Sequence, residues 1–201
     1  MQDIDHGDCR LFDANLIQEG RLQAQRTGEL FFSNFSASKV DLMLVSPHSR
    51  CLQTCQHFIA GGNIASRELP EILCKEDLRE IFGIHQADRR RNKTELLENW
   101  PSVKFSLDMP EKDERWQPNR RESWNELSHR VHKFFTNFIS SREEKCIIII
   151  SHGVWIECCL HLYSPDTLRG GADRIHNCNV VSARYDEETR KLLPGAKFMI
   201  R

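Results

Sequence analysis

Two short segments carry the residue types best suited to phosphate chemistry: Val45-Ser46-Pro47-His48-Ser49-Arg50 and Ile147-Ile148-Ile149-Ile150-Ser151-His152-Gly153. Each ends an apolar run and opens a helical pattern. In an open α/β sheet, ligands bind beyond the carboxyl ends of the strands, where helix N-termini present free N–H groups to anions. One segment brings a guanidinium to such a crevice and the other an imidazole. Arg50 falls about one turn into its helix, where it either clamps phosphate oxygens with two parallel hydrogen bonds or pairs with a surface carboxylate. His152 follows four isoleucines, and Gly153 behind it leaves room for a ligand at the backbone; a satisfied core histidine has the same signature. A third segment, Leu78-Arg79-Glu80-Ile81-Phe82-Gly83, offers Glu80 as a carboxyl that could protonate a leaving oxygen.

The elements that must position these groups alternate along the chain. Leu16, Ala24, Phe31 and Phe35 give the stretch 15–35 an amphipathic helical pattern. A buried strand is predicted over 40–45. A helix follows to Ala60, with Ser46 as its N-cap, Pro47 in its first turn and Gly61-Gly62 as its stop. A short strand is predicted over 72–74. The stretch 84–121 has no sustained period and contains Pro101, Pro110 and Pro118, so it reads as an excursion over the crevice. From Trp124 onward, Leu127, Val131, Phe134, Phe135, Phe138 and Ile139 form the apolar stripe of a long helix packed on the core. A strand over 146–150, a helix over 154–163 and strands over 180–185 and 197–200 complete the pattern. Continuous apolar strands between helices imply an α/β fold whose sheet is mostly parallel and covered by helices on both faces. The length of 201 residues suits one domain, 1–201.

Composition narrows the function classes. A formal net charge of −1 gives no bulk attraction to nucleic acid or anionic membrane, so any anion site must be local. Arg89-Arg90-Arg91 lacks interleaved aromatics and reads as a solvated face, not a nucleic-acid surface. The polar, acidic Met1-Gln2-Asp3-Ile4-Asp5-His6 does not match a secretory leader, and no apolar run approaches the roughly 20 residues of a membrane span. A cytoplasmic protein with no membrane partner is expected. The eight cysteines show no metal-ligand spacing, so reduced thiols are expected, with neither a metal nor a cofactor.

Taken together, Ser46-Pro47-x-Ser49-Arg50-x-x-Gln53-Thr54, Leu78-Arg79-Glu80-x-x-Gly83-x-His85-x-x-Asp88-x-Arg90 and Ser151-His152-Gly153 form an ordered set. It resembles the histidine phosphatase superfamily of phosphoglycerate-mutase-like fold, most closely its short branch found in plants and fungi. Asp13-x-x-Leu16-x-x-x-Gly20-x-x-Gln23-Ala24, Arg121-Glu122-Ser123 and Asn177-Cys178 extend the resemblance along nearly the whole chain. The resemblance implies a phosphorylated small molecule or phosphate as ligand. It assigns Arg50, His152 and Gly153 to the phosphate, and Glu80 with His152 to catalysis. His85, Arg89 and Arg90 are expected at the substrate rim.

The resemblance also implies an Arg-His-Gly strand ahead of Asp13, whose histidine takes the phosphoryl group, and the sequence contains no such tripeptide. His6-Gly7 lacks a preceding apolar strand and a preceding arginine, so His6 is read as a loop residue. The expectation is therefore a domain without the first strand of its fold, beginning after the nucleophile, with two strands left unpaired beside the gap. Two functions follow. One is phosphomonoester hydrolysis or phosphoryl transfer through a phosphohistidine in the complete form. The other is a catalytically inactive phospho-ligand binding or scaffold protein.

Overall fold

The computed structural model describes residues 9–64, 69–164 and 175–194. The chain runs α1 (Gln18–Asn34), β1 (Leu42–Val45), α2 (Ser49–Gly61), β2 (Glu71–Cys74), α3 (Lys93–Asn99), β3 (Lys104–Phe105), α4 (Trp124–Lys133), β4 (Ile147–Ile150), α5 (Gly153–Tyr163), β5 (Ala183–Asp186) and β6 (Lys191–Pro194). Strands β1 to β4 form a parallel sheet of order β3-β2-β1-β4, with Val45 level with Cys74 on one side and Ile150 on the other. Their carboxyl ends therefore lie together.

Alternate residues of the central strand feed two cores, which is why its run Leu42-Met43-Leu44-Val45 is apolar throughout. Met43 and Val45 pack with Phe31 of α1 and Cys51, Leu52, Cys55 and Phe58 of α2. Leu42 and Leu44 face the opposite way, into Leu127 and Val131 of α4 and Trp155 and Cys158 of α5. The sheet is thus covered on both faces, as the sequence pattern requires. Glycine sets the spacing of α1 against α2: a Cβ at Gly28 would overlap the Phe58 carbonyl oxygen, and one at Gly61 the Gln25 carbonyl.

Several local expectations change. Helix α2 opens two positions later than expected, with His48 at the N-cap and Ser49 as first residue, so Pro47 precedes it. Ser46 does not cap it. The free N–H of Ser49 is met instead by Asp13, whose carboxylate also accepts the Ser49 hydroxyl, at 2.9 and 2.6 Å. The stretch 84–121 contains α3 and the edge strand β3, both unexpected. Helix α3 starts at a box in which the Glu95 carboxylate accepts the Asn92 N–H at 3.1 Å. The Trp124 helix is regular only to Lys133, then loosens into a π turn at Phe134–Phe138 and a 3-10 turn at Ile139–Ser141.

β5 pairs antiparallel with β6, which was not expected, and the strand predicted over 197–200 lies outside the described residues. Strand β1 is paired on both sides, so the unpaired edge is found at β4 alone of these two: among the described residues it pairs only with β1. The cysteines are free thiols, five of them buried. Among the described residues no helix is long and apolar enough to cross a membrane.

Candidate functional site

The residues singled out for chemistry meet at the carboxyl edge of the sheet. Arg50, in the first turn of α2, donates from Nη1 to the Ala87 carbonyl at 2.6 Å and from Nη2 to Asp88 Oδ1 at 3.2 Å. Asp88 Oδ2 accepts from Arg121 Nη1 at 3.1 Å, so one carboxylate bridges two guanidinium groups. Asp88 sits at the end of a 3-10 turn, Gln86–Asp88, that reaches under α2. Gly83 helps to shape the approach to that turn: its φ is +95°, and a Cβ there would overlap the Arg120 carbonyl.

His152 occupies the N-cap position of α5 and is buried. Its Nε2 lies 2.8 Å from Ser46 Oγ, 3.2 Å from His48 Nδ1 and 3.4 Å from Cys51 Sγ. The two imidazoles meet edge to face, their centroids 4.9 Å apart. His48 Nε2 lies 3.0 Å from the Asp88 carbonyl. Burial drives both histidines well below the ordinary imidazole pKa, and the Arg50 charge adds to the effect. Both imidazoles are neutral. Burial likewise pushes the Cys51 thiol up to about 12, which leaves it protonated. A Cβ at Gly153 would meet no atom within 4 Å, so the start of α5 faces open space.

Glu80 projects from the loop after β2. Burial raises its pKa above the ordinary glutamate value, the Ile81 N–H opposes that rise, and Asp88 adds to it while Arg50 lowers it. Its Oε1 accepts the Ile81 N–H at 3.0 Å. The loop is held from beneath by Arg130, whose guanidinium binds the carbonyls of Asp77, Arg79 and Glu80 at 2.8, 2.9 and 3.3 Å. Glu122 balances that charge through two bonds of 2.9 and 2.6 Å. Arg79 is fully buried, bidentate to Asp113 at 2.7 Å, and donates to the Asp88 carbonyl at 2.8 Å. A carboxyl with a raised pKa that lies within reach of the Arg50 charge can exchange a proton with a ligand oxygen.

The expected rim residues separate. Arg89 is exposed, its guanidinium 5.5 Å from the Phe12 ring centroid and 5.2 Å from that of Trp116. Arg90 is not at a rim. It is 1% exposed, pairs with Glu76, and donates to the carbonyls of Arg91, Pro110, Glu111 and Lys112. Three of those carbonyls belong to the loop 110–112, which Arg90 holds while they satisfy its buried guanidinium. His85 is half-buried in the turn before Gln86, where its carbonyl accepts the Trp116 indole N–H at 2.9 Å.

Sequence reasoning passed over Ser46 and His48 as site residues, and Asp13, Asp88 and Arg130 as its supports. A usable signal existed for three of them: Ser46 opens Ser46-Pro47-x-Ser49-Arg50, Asp13 opens Asp13-x-x-Leu16, and Asp88 stands in Gly83-x-His85-x-x-Asp88.

Comparison with known proteins places the chain in a family. The chain is 29% identical over 197 residues to "Phosphoglycerate mutase-like protein 1" of Arabidopsis thaliana, covering 85% of this chain and 70% of that protein. It is 33% identical over 167 residues to "Phosphomutase-like protein 3" of Candida albicans, covering 80% of this chain and 50% of that protein. The chain thus spans between half and seven-tenths of the length of these two relatives. Its fold is similar to the crystal structure of an ecdysone phosphate phosphatase from Bombix mori in complex with tungstate, with a TM-score of 0.55, 16% identity, and 96% of this chain and 77% of that chain covered. A family model described as the histidine phosphatase superfamily (branch 1) matches residues 8–194, nearly the whole chain and every site residue described above, and the chain therefore belongs to that superfamily.

Proposed function

We propose that the crevice at the carboxyl ends of β1 and β4 binds the phosphoryl group of a phosphorylated small molecule. Arg50, His152 and the N–H groups opening α5 at Gly153 hold the phosphoryl oxygens, and Glu80 serves as acid and base. The observation that carries this reading is the convergence of three distant segments: the Arg50 charge reaches both His152 and Glu80. The tungstate bound by the similar insect phosphatase, a phosphate-like oxyanion, supports it.

Phosphoryl transfer through a phosphohistidine requires the histidine on an Arg-His-Gly strand that the resemblance implies. A P–N bond to that histidine forms as the P–O bond breaks, and Glu80 gives its proton to the departing oxygen. Water or a second alcohol then attacks the phosphohistidine, with Glu80 taking up the proton. A second reading, a binding or scaffold protein of the same fold, is favoured by one feature: Arg50 and His152 already have partners of their own, Asp88 for Arg50 and Ser46 and His48 for His152.

Titration of inorganic phosphate or vanadate into isotope-labelled protein tests the site. Amide shifts centred on Gly153 and Val154 are expected, and Arg50→Ala should abolish them, since charge-assisted hydrogen bonds contribute about 1.5–3 kcal/mol each. Identical shifts in that variant would remove Arg50 from the site. Turnover of a chromogenic phosphomonoester separates the two readings, with no more than trace activity expected from these 201 residues alone.

A further inference from the structure

We infer that His48 is a positioning residue: acting with Ser46, it fixes His152 as the tautomer whose proton sits on Nε2. This rests on the reading that His152 holds a phosphoryl oxygen, because the Nε2 proton, which Ser46 accepts at 2.8 Å, is the one for which that oxygen would compete. Nε2 is the nitrogen on the side of α2, the helix that carries Arg50 in its first turn. It lies 3.4 Å from Cys51 Sγ, whereas Nδ1 lies 3.9 Å away.

The assignment proceeds by elimination. A backbone carbonyl only accepts, so the 3.0 Å contact with the Asp88 carbonyl requires the proton of His48 on Nε2. His48 is fully buried beside Arg50 and neutral, so its Nδ1 carries a bare lone pair. His152 Nε2 stands 3.2 Å from that lone pair. Two lone pairs at that distance repel, and only a proton on His152 Nε2 avoids it. Ser46 Oγ lies 2.8 Å from His152 Nε2 and 3.3 Å from His48 Nδ1. It accepts the first proton and donates its own to the second nitrogen. The chain of donors therefore runs one way, from His152 through Ser46 and His48 to the Asp88 carbonyl. Its end point is rigid, since the same carbonyl accepts from Arg79, which Asp113 holds by two bonds of 2.7 Å. His48 stands at the unspecified position of Ser46-Pro47-x-Ser49, and nothing in the resemblance gives it a role.

Long-range proton–nitrogen correlation spectra of the full chain read the tautomer directly. The wild type is expected to show His152 protonated on Nε2. In His48→Leu both tautomers should exchange, moving the His152 nitrogen shifts toward their average and weakening inorganic phosphate about fivefold, the usual effect of one lost hydrogen bond. His48→Asn keeps an acceptor two bonds from Cβ, where Nδ1 was. It should retain the Nε2 proton and hold phosphate affinity within about twofold of wild type. A wild-type His152 protonated on Nδ1 overturns the inference, as does a folded His48→Leu whose His152 shifts match the wild type. Should His48→Leu not fold, the wild-type and His48→Asn spectra decide. If phosphate moves no amide in the wild type while His48→Leu still alters the His152 tautomer, the phosphate reading fails and the role of His48 stands.

Discussion

Asp88 holds its carboxylate between Arg50 and Arg121, 3.2 and 3.1 Å from their nitrogens, where an incoming anion would compete with it. Asp88→Asn removes that competitor and leaves the carbonyl that anchors His48 and Arg79. Inorganic phosphate should bind about two- to fivefold more tightly to the variant, the range expected for one partly exposed ion pair, and the gain should shrink in high salt. Calorimetric titration measures both; unchanged affinity would show that Asp88 does not obstruct the clamp. The paired imidazoles make a second prediction. Burial holds His48 and His152 neutral in the folded state, while the unfolded chain takes up protons below about pH 6.5. The unfolded state then binds more protons, so these groups lower stability as pH falls through that value. Thermal melts between pH 7.5 and 5.5 should show a steeper loss in the wild type than in His48→Asn.

At the scale of elements, the sheet is unevenly finished. Strand β1 is paired on both sides and completely buried, whereas β4 is paired on one side among the described residues and its four isoleucines are each half-buried. An apolar strand with a free edge is a template for another strand. The resemblance supplies the occupant, a strand ending in Arg-His-Gly. Fusing such a strand ahead of residue 1 should raise the melting temperature by several degrees, since a further 1–2 kcal/mol in a chain of this size shifts it by about 2–8 °C. Phosphomonoesterase activity should rise in the same protein. A matched Arg-Ala-Gly strand should raise stability alone. A strand that docks and stabilises without conferring turnover would favour the binding-protein reading.

Across the whole molecule, buried charge joins the functional edge to the second core. Arg130 leaves α4 to meet Glu122 and three carbonyls of the loop 77–80, and both side chains of the pair are under 10% exposed. Arg130→Met would leave a buried carboxylate without a partner and strip those carbonyls, so a loss of about 3–5 kcal/mol is expected in urea unfolding. Glu122→Gln keeps the carbonyl contacts and should lose less. Equal losses would mean that the ion pair alone, and not its grip on the Glu80 loop, sustains this edge.

How much of this was legible in the sequence depends on range. Period and punctuation carried the α/β class, the strand ends at Val45 and Ile150, the helices that follow them, and Arg50 and His152 as polar residues at those ends. These are local properties: alternating strand faces and helical stripes repeat over a few residues, and Gly61 and Ser123 mark boundaries with their own chemistry. Short or weakly periodic pieces escaped, since the seven residues of α3 and the two of β3 are too few to show a period. What only the tertiary structure decided is which polar groups share an environment. His48 meets His152 across 104 positions, Asp13 meets Ser49 across 36, and Arg90 turns inward to carbonyls some 20 residues away. An unpaired polar group cannot stay buried, so each such residue takes whichever partner the closed sheet brings within reach. That partner is set by chain closure, and no spacing along the sequence encodes it.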